Sequence, residues 1–213
     1  MILGIIPARG GSKGIPKKNI RLLCEEPLIA WTIKAAQNAR LLDRFVVSTE
    51  DEEIAQVSRQ YGAEVVERPA ELATDEASTL SVLQHVLAQI PAETVVLLQA
   101  TCPIRDESLV DSCIRRFRET TADSLATGFI CKYTEYGKNE LRRQDIKGFF
   151  YDDGNVYVMK ADLVRAGDRY GKRIERMLID REQNIDIDEE FDFWLAEKVM
   201  LRRRARGLGP SLS

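Results

Sequence analysis

Residues 2–20 read I-L-G-I-I-P-A-R-G-G-S-K-G-I-P-K-K-N-I, an apolar run that breaks at Pro7 into three glycines, a serine, an arginine and three lysines. The pattern is that of a buried strand feeding a flexible, cationic loop. Gly10, Gly11 and Gly14 allow positive φ and let backbone N–H groups approach an anion, while Arg9, Lys13, Lys17 and Lys18 bring charge to it. Such a loop can wrap a polyphosphate, and a nucleoside triphosphate is the expected ligand.

Two better-known phosphate loops do not fit. A Walker A loop requires G-x-x-x-x-G-K-[ST], whereas the order here is Ser12-Lys13-Gly14. The dinucleotide fingerprint G-x-G-x-x-G fails as well, because the glycine spacing is G-G-x-x-G.

Beyond this loop, strand and helix patterns alternate. A helix is predicted over 28–39, a strand over 44–48, a helix over 51–61 closed by Gly62, a strand over 63–67, a helix over 77–90 and a fully apolar strand over 94–99. This is the alternation of an α/β sheet with helices on both faces. The second half is less regular. Asp106 is placed to cap a helix running to Phe117, strands are predicted over 123–131, 155–159 and 176–179, and a last helix over 189–204 is expected to bury Phe191, Trp194, Leu195 and Val199. The polar stretch 132–147 has little core potential and reads as a substrate lid or partner arm.

With 213 residues the chain suits one domain with a substantial core rather than two. Charged residues make up 31% with a net charge of -3, which gives no global basic field for nucleic acid and no acidic excess pointing to disorder. The run Arg202-Arg203-Arg204, with Arg206, closes the last helix ahead of a Gly-Leu-Gly-Pro-Ser tail. It reads as a solvated helix end whose cations suit the dipole, not as a nucleic-acid or membrane patch. Cys24, Cys102, Cys113 and Cys131 form no C-x-x-C pair, and with His85 as the single histidine neither a zinc site nor a disulfide framework is indicated. His85 reads as an ordinary helix-surface residue with no triad partner nearby. No apolar run reaches the roughly 18 residues of a membrane span, and the N-terminus enters a strand directly, so a soluble, cytoplasmic protein is expected.

Ligands of open α/β sheets sit beyond the C-terminal strand ends, where the first loop, the Glu67-Arg68-Pro69 turn and the Gln99-Ala100-Thr101 turn all fall. A fourth element is Ile185-Asp186-Ile187-Asp188. In an extended segment the two aspartates share one face while the isoleucines turn to the core. Paired carboxylates without His or Cys suit Mg²⁺. Asp188 is also the natural N-cap of the last helix, but a cap leaves Asp186 unexplained. Two such charges repel by roughly 2 kcal/mol at an effective dielectric near 20 unless a cation offsets them.

Taken together, I-P-A-R-G-G-S-K-G-I-P-K-K-N at 6–19, E-R-P-A-E-L-A-T-D at 67–75, L-Q-A-T-C-P-I-R at 98–105, R-Q-D at 143–145 and I-D-I-D at 185–188 closely resemble the CMP-sialic acid synthetases. These acylneuraminate cytidylyltransferases include enzymes for legionaminic and pseudaminic acids. The resemblance spans nearly the whole chain. It implies a three-layer, Rossmann-like nucleotidyltransferase sheet, mostly parallel, with a small substrate and dimerisation lobe. The chain is then a single cytidylyltransferase domain over 1–213, with 131–150 as candidate lid or dimer arm. Carried over position by position, the resemblance implies that Arg9, Ser12 and Lys18 hold the triphosphate of CTP, with Ala8 and Asn19 at the nucleotide. Arg68, Ala77 and Thr79 would line the cytosine and ribose pocket. Gln99, Lys138, Arg143, Gln144 and Tyr157 would contact the sugar acid, and Asp186 with Asp188 would bind Mg²⁺. Arg9, Lys18 and the two aspartates would carry catalysis, and a homodimer is implied.

The chain departs from the resemblance at one informative place. Where sialic acid enzymes commonly read R-P-N-G-A-I-Y, this one reads Tyr151-Asp152-Asp153-Gly154-Asn155-Val156-Tyr157, a tyrosine and two acids in place of a cation near the sugar. The identity of the sugar acid therefore stays open. Rival readings are a same-fold nucleotidyltransferase using another base or another sugar acid such as Kdo, and a catalytically silent nucleotide-binding regulator. The R-G-G-S-K-G loop speaks against the Kdo branch, and the intact aspartate pair against a pure binder.

Overall fold

The computed structural model describes residues 1–138 and 140–208. The first strand, β1 (Ile2–Pro7), is apolar along its length because both of its faces are covered. Its side chains divide by alternation. Ile2 and Ile6 face one helical layer, while Leu3 and Ile5 face the other. After the glycine loop, a 3-10 turn at Lys18–Ile20 leads into a short hairpin, β2 (Leu22–Leu23) and β3 (Glu26–Pro27), and then helix α1 (Leu28–Asn38). The chain continues through β4 (Arg44–Thr49), α2 (Glu52–Gln60), β5 (Glu64–Glu67), α3 (Thr79–Gln89) and β6 (Thr94–Leu98). It closes with α4 (Leu109–Glu119), β7 (Ser124–Cys131), β8 (Phe149–Lys160), α5 (Ala161–Arg165), β9 (Ile174–Leu178) and α6 (Glu190–Ala205).

The strands build a seven-stranded sheet in the order β5-β4-β1-β6-β8-β7-β9. β8 runs antiparallel to both neighbours, and the other pairings are parallel. α1, α2 and α4 supply Ile33, Ile54 and Ile114 to one face, and α3 and α5 supply Leu83, Val86 and Val164 to the other. This is the expected α/β sandwich of three layers. The chain reverses its direction of growth between β1 and β6, which places a ligand crevice at their C-terminal ends. A third apolar cluster joins α6 to Trp31, Ile104, Ile185 and Ile187, so the last helix locks the aspartate segment against that crevice.

Several local expectations are corrected. α6 buries Phe193, Ala196 and Met200 instead, leaving Phe191 and Trp194 65% and 52% exposed, with Leu195 and Val199 only partly buried. Apolar residues surround this helix, so its sequence offers two plausible stripes; the one with Phe193, Ala196 and Met200 packs against Trp31, Ile104, Ile185 and Ile187, with the Arg21 guanidinium 4.4 Å over Phe193. Arg203 is not solvated. It is 5% exposed, paired with Asp106 and with Glu182 at 3.4 Å. That pairing also removes Asp106 as a helix cap, since α4 begins after Ser108. Asp188 is no cap either, because Glu189 and Asp192 form a capping box for α6. β8 begins six residues earlier than expected and carries a register shift opposite Ala126 and Gly128. The Gly-Leu-Gly-Pro-Ser tail lies, from residue 209, outside the described residues.

Candidate active site

Four residues of the crevice stand just beyond strand ends. Arg9 follows β1, Glu50 follows β4, Arg68 follows β5 and Gln99 follows β6. Gly10 and Gly14 of the first loop serve close approach rather than positive φ, since none of the three loop glycines is left-handed and Lys17 takes that conformation instead (φ 53°). A Cβ at Gly14 would collide with the backbone carbonyl of Asp188, and one at Gly10 with the Asp51 carboxylate; Gly11 faces open space. The loop is therefore laid directly on the aspartate segment.

A cavity of about 310 Å³ opens over this loop, lined by Arg9, Ser12, Lys18, Asn19, Arg68, Ala77 and Thr79 together with Gln99 and Asp188. Ala8 is buried behind it, its N–H bonded to the Ser48 carbonyl at 3.0 Å. Asn19 donates to the Arg9 carbonyl at 2.9 Å, and its own Oδ1 is buried with no partner. Arg68 is held by Glu50 at 2.9 Å, and its Nε is likewise buried and unpaired. Unpaired buried groups of this kind are costly unless a ligand completes them. Burial pulls the Arg68 guanidinium down from its ordinary pKa, while Glu50 opposes the shift. Glu50 also accepts from the Gly10 N–H at 2.7 Å, so one carboxylate fixes both the loop and Arg68.

A second cavity, about 340 Å³, adjoins the first, and Gln99 and Asp188 line both. Its remaining wall comes from Tyr151, Asp152, Asp153, Gly154 and Tyr157 of β8 with Asn184 and Asp186. Tyr157 donates to Asp152 at 2.6 Å, and burial with that bond drives its hydroxyl far above the usual phenol range. Lys138, Arg143 and Gln144 are not brought here. They lie exposed on the connection between β7 and β8 and line neither cavity. His85, on α3, contacts Gln89 at 3.0 Å and lines neither cavity. All four cysteines are buried free thiols.

The aspartates alternate as expected, with Ile185 and Ile187 8% and 0% exposed and both carboxylates turned to the cavities. The walls of the crevice desolvate the Asp186 carboxyl and raise its pKa, although the residue keeps contact with solvent. Thr101 opposes this rise and the Asp188 charge adds to it. Lys18, 9% exposed, donates to the Ile187 carbonyl at 2.5 Å and to Asp188 at 3.2 Å. Among the described residues no cluster of three or more His, Cys, Asp or Glu side chains is arranged around one metal position. Two oxygen donors, both anionic, still fit an ion such as Mg²⁺ that takes one or two protein carboxylates and completes its shell with substrate phosphate and water. Sequence reasoning gave no role to Glu50, Asp75 or Asn184; the partners of Glu50 and Asp75 lie 18 to 66 positions away, so nothing local marks those two.

Among the described residues no helix is long and apolar enough to cross a membrane. The N-acylneuraminate cytidylyltransferase of Escherichia coli O18:K1:H7 is 28% identical over 226 residues, covering 95% of this chain and 52% of that protein. This chain thus spans about half the length of that relative. The CMP-N,N'-diacetyllegionaminic acid synthase of Campylobacter jejuni subsp. jejuni serotype O:2 is 32% identical over 219 residues, covering 92% of this chain and 93% of that one. A solved structure of CMP:2-keto-3-deoxy-manno-octonic acid synthetase complexed with CTP has a TM-score of 0.79, covering 95% of this chain and 99% of that chain at 13% identity, a likeness of fold. The sequence profile of the family described as Cytidylyltransferase matches residues 3–185, from the first buried strand to the threshold of Asp186, and the chain belongs to that family.

Proposed function

We propose that the protein transfers the cytidylyl group of CTP to the anomeric hydroxyl of a sialic-acid-like nonulosonic acid. The hydroxyl oxygen forms a bond to the α-phosphorus, the bond to the β-phosphate oxygen breaks, and CMP-sugar, pyrophosphate and a proton are released. The observation that carries this reading is the pair of adjoining cavities sharing Gln99 and Asp188. A nucleotide in the first would present its α-phosphate at the wall of the second, and holding the two reactants there removes much of the entropic barrier.

In this reading Asn19 and Arg68 offer their unpaired Oδ1 and Nε to the nucleotide. Arg9, Ser12 and Lys18 meet the phosphates, where fixed positive charge offsets the charge growing on the departing pyrophosphate. Ala77 and Thr79 bound the nucleoside, while Gln99 and Tyr157 face the acceptor. A divalent ion such as Mg²⁺, held by Asp186 and Asp188, would supply further charge at the phosphate oxygens. The relatives named for N-acylneuraminate and N,N'-diacetyllegionaminic acid support a nine-carbon acceptor. The 131–150 arm, with Tyr133 and Tyr136 exposed, is the segment we assign to pairing with a second copy. Lys138, Arg143 and Gln144 have no part in this reading.

The test is pyrophosphate release with each nucleoside triphosphate against a panel of nonulosonic acids and Kdo, with and without Mg²⁺. CTP should be used well ahead of ATP, GTP and UTP, since a pyrimidine-sized pocket excludes purines and unpaired polar groups reject uracil. Equal turnover with UTP or GTP, or a preference for Kdo, would overturn the assignment.

A further inference from the structure

Asp75 occupies the place in the nucleotide cavity where an anion is expected. Arg9 donates through Nη1 to Asp75 Oδ1 at 2.8 Å and to the Thr74 carbonyl at 3.2 Å, and the Lys13 ammonium pairs with Asp75 Oδ2. Arg9, Thr74 and Asp75 all line that cavity. The contact joins positions 66 residues apart, drawing the first loop to the segment ahead of α3. Each carboxylate oxygen thus holds one cation, as two oxygens of a phosphate group would. Lys13 and then Arg9 keep the Asp75 carboxyl below its ordinary pKa, so it is anionic at neutral pH.

We propose that Asp75 is a positioning residue for the triphosphate site: it holds Arg9 and Lys13 in place when no nucleotide is bound, yields them to CTP, and recaptures them as pyrophosphate leaves. This rests on the reading of the first loop as the CTP triphosphate site. Both pairs are partly exposed, with side chains 37% (Arg9), 78% (Lys13) and 39% (Asp75) accessible. Exposed ion pairs are weak and easily exchanged, and a multiply charged triphosphate outcompetes a single carboxylate for the same two cations. Once displaced, Asp75 remains a like charge at the edge of the bound phosphates and favours their release. Its removal should therefore tighten the binding of every polyphosphate and slow turnover.

The experiment is calorimetric titration of the wild-type protein, Asp75→Asn and Asp75→Glu with CTP and with inorganic pyrophosphate in Mg²⁺ buffer, alongside product inhibition during turnover. Asp75→Asn should bind both ligands about three- to tenfold more tightly, the range set by losing two exposed ion pairs. It should also show a lower kcat with stronger pyrophosphate inhibition, and Asp75→Glu should return the affinities toward wild type. Unchanged or weaker binding of both ligands by a folded Asp75→Asn protein, with the wild type binding normally, overturns this inference alone. If Asp75→Asn does not fold, Asp75→Ser takes its place in the same titrations, and unchanged or weaker binding of both ligands by that folded protein overturns the inference equally. Failure of the wild type to bind either ligand overturns the triphosphate reading and this inference with it.

Discussion

The Lys18 ammonium donates to the Ile187 carbonyl at 2.5 Å and lies 3.2 Å from the Asp188 carboxylate, so the first loop is pinned to the aspartate segment across 170 positions of sequence. The ammonium is enclosed, its side chain 11% exposed. Here a charge is worth more than on the surface, because little water screens it. Lys18→Met keeps the aliphatic stem but removes the donor and the charge. We expect kcat/KM for CTP to fall by about 100-fold or more, the order seen when a fixed charge or donor is removed from a transition state. Leaving the Ile187 carbonyl unpaired should cost about 1–2 kcal/mol of stability. Steady-state kinetics with thermal unfolding checks both, and wild-type turnover in a destabilised variant would assign Lys18 to structure alone.

Glu50 bridges the first loop and Arg68, one oxygen accepting from the Gly10 N–H and the other from the Arg68 guanidinium. The Arg68 and Glu50 side chains are 4% and 19% exposed, so the pair is largely buried. Removing one partner of a buried pair strands the other charge. Glu50→Gln still offers one acceptor, and a loss of about 2 kcal/mol is expected, below the full cost of an uncompensated buried charge. KM for CTP should rise about tenfold, corresponding to roughly 1.4 kcal/mol of lost positioning, with a smaller change in kcat. A KM that stays at the wild-type value would separate Arg68 from nucleotide binding.

Asp123 gives a pH signature remote from the site. It accepts from Lys160 at 2.7 Å and from the backbone N–H groups of Lys172 and Arg173, each at 3.1 Å, tying together the start of β7, the end of β8 and the approach to β9. The Lys160 bond, followed by the Arg173 and Lys172 amides, holds its carboxyl well below the usual range. A depressed carboxylate pKa contributes stability that is present above the unfolded value, about 3.9, and is lost as pH falls through the folded value. Asp123→Asn should therefore melt a few degrees below wild type at pH 7, with the gap narrowing below about pH 4. A gap constant from pH 7 to pH 2 would show that the charge contributes nothing.

The legible parts of this molecule were those written in consecutive residues. The hydrophobic strand before the glycine loop, the turns after Glu67 and Leu98, and the alternation of Ile185-Asp186-Ile187-Asp188 each announce local geometry, and the sheet brings all of them to one crevice. Contacts between distant segments were not legible. Glu50 looks like one more acid before a helix, Asp75 like a turn residue, and Arg203 like one of three solvated arginines; only the tertiary pairing distinguishes them. The glycines were found but for another reason than the structure gives, since close approach to Asp51 and Asp188 leaves no trace in local sequence that a positive φ would not leave too. Gln99 and Asp188 were placed singly, and their position on the wall between two cavities emerged only from the fold.

The aspartate pair decides between a structural and a chemical reading of residues 185–188. α6 is capped without Asp188: the Asp192 carboxylate accepts from Glu189 N–H at 2.9 Å and from Asp188 N–H at 3.0 Å, using only the Asp188 backbone. Asp188→Asn should leave the melting temperature near wild type. Asp186 has a raised pKa in the folded chain, so its favourable contribution is confined to pH below the unfolded value and is lost as pH rises through the folded one. At neutral pH the Asp186 charge opposes folding, and Asp186→Asn should melt at or slightly above the wild-type temperature. If the two carboxylates hold a divalent ion, each substitution replaces an anionic ligand by a neutral one, and turnover should fall by about 100-fold or more in both, with the Mg²⁺ concentration for half-maximal rate shifted upward. Rate measured against Mg²⁺ concentration, beside thermal unfolding, separates the outcomes. Lost activity with lost stability would return the segment to a structural role, whereas lost activity at unchanged stability, with altered metal dependence in both variants, requires both carboxylates in the chemistry.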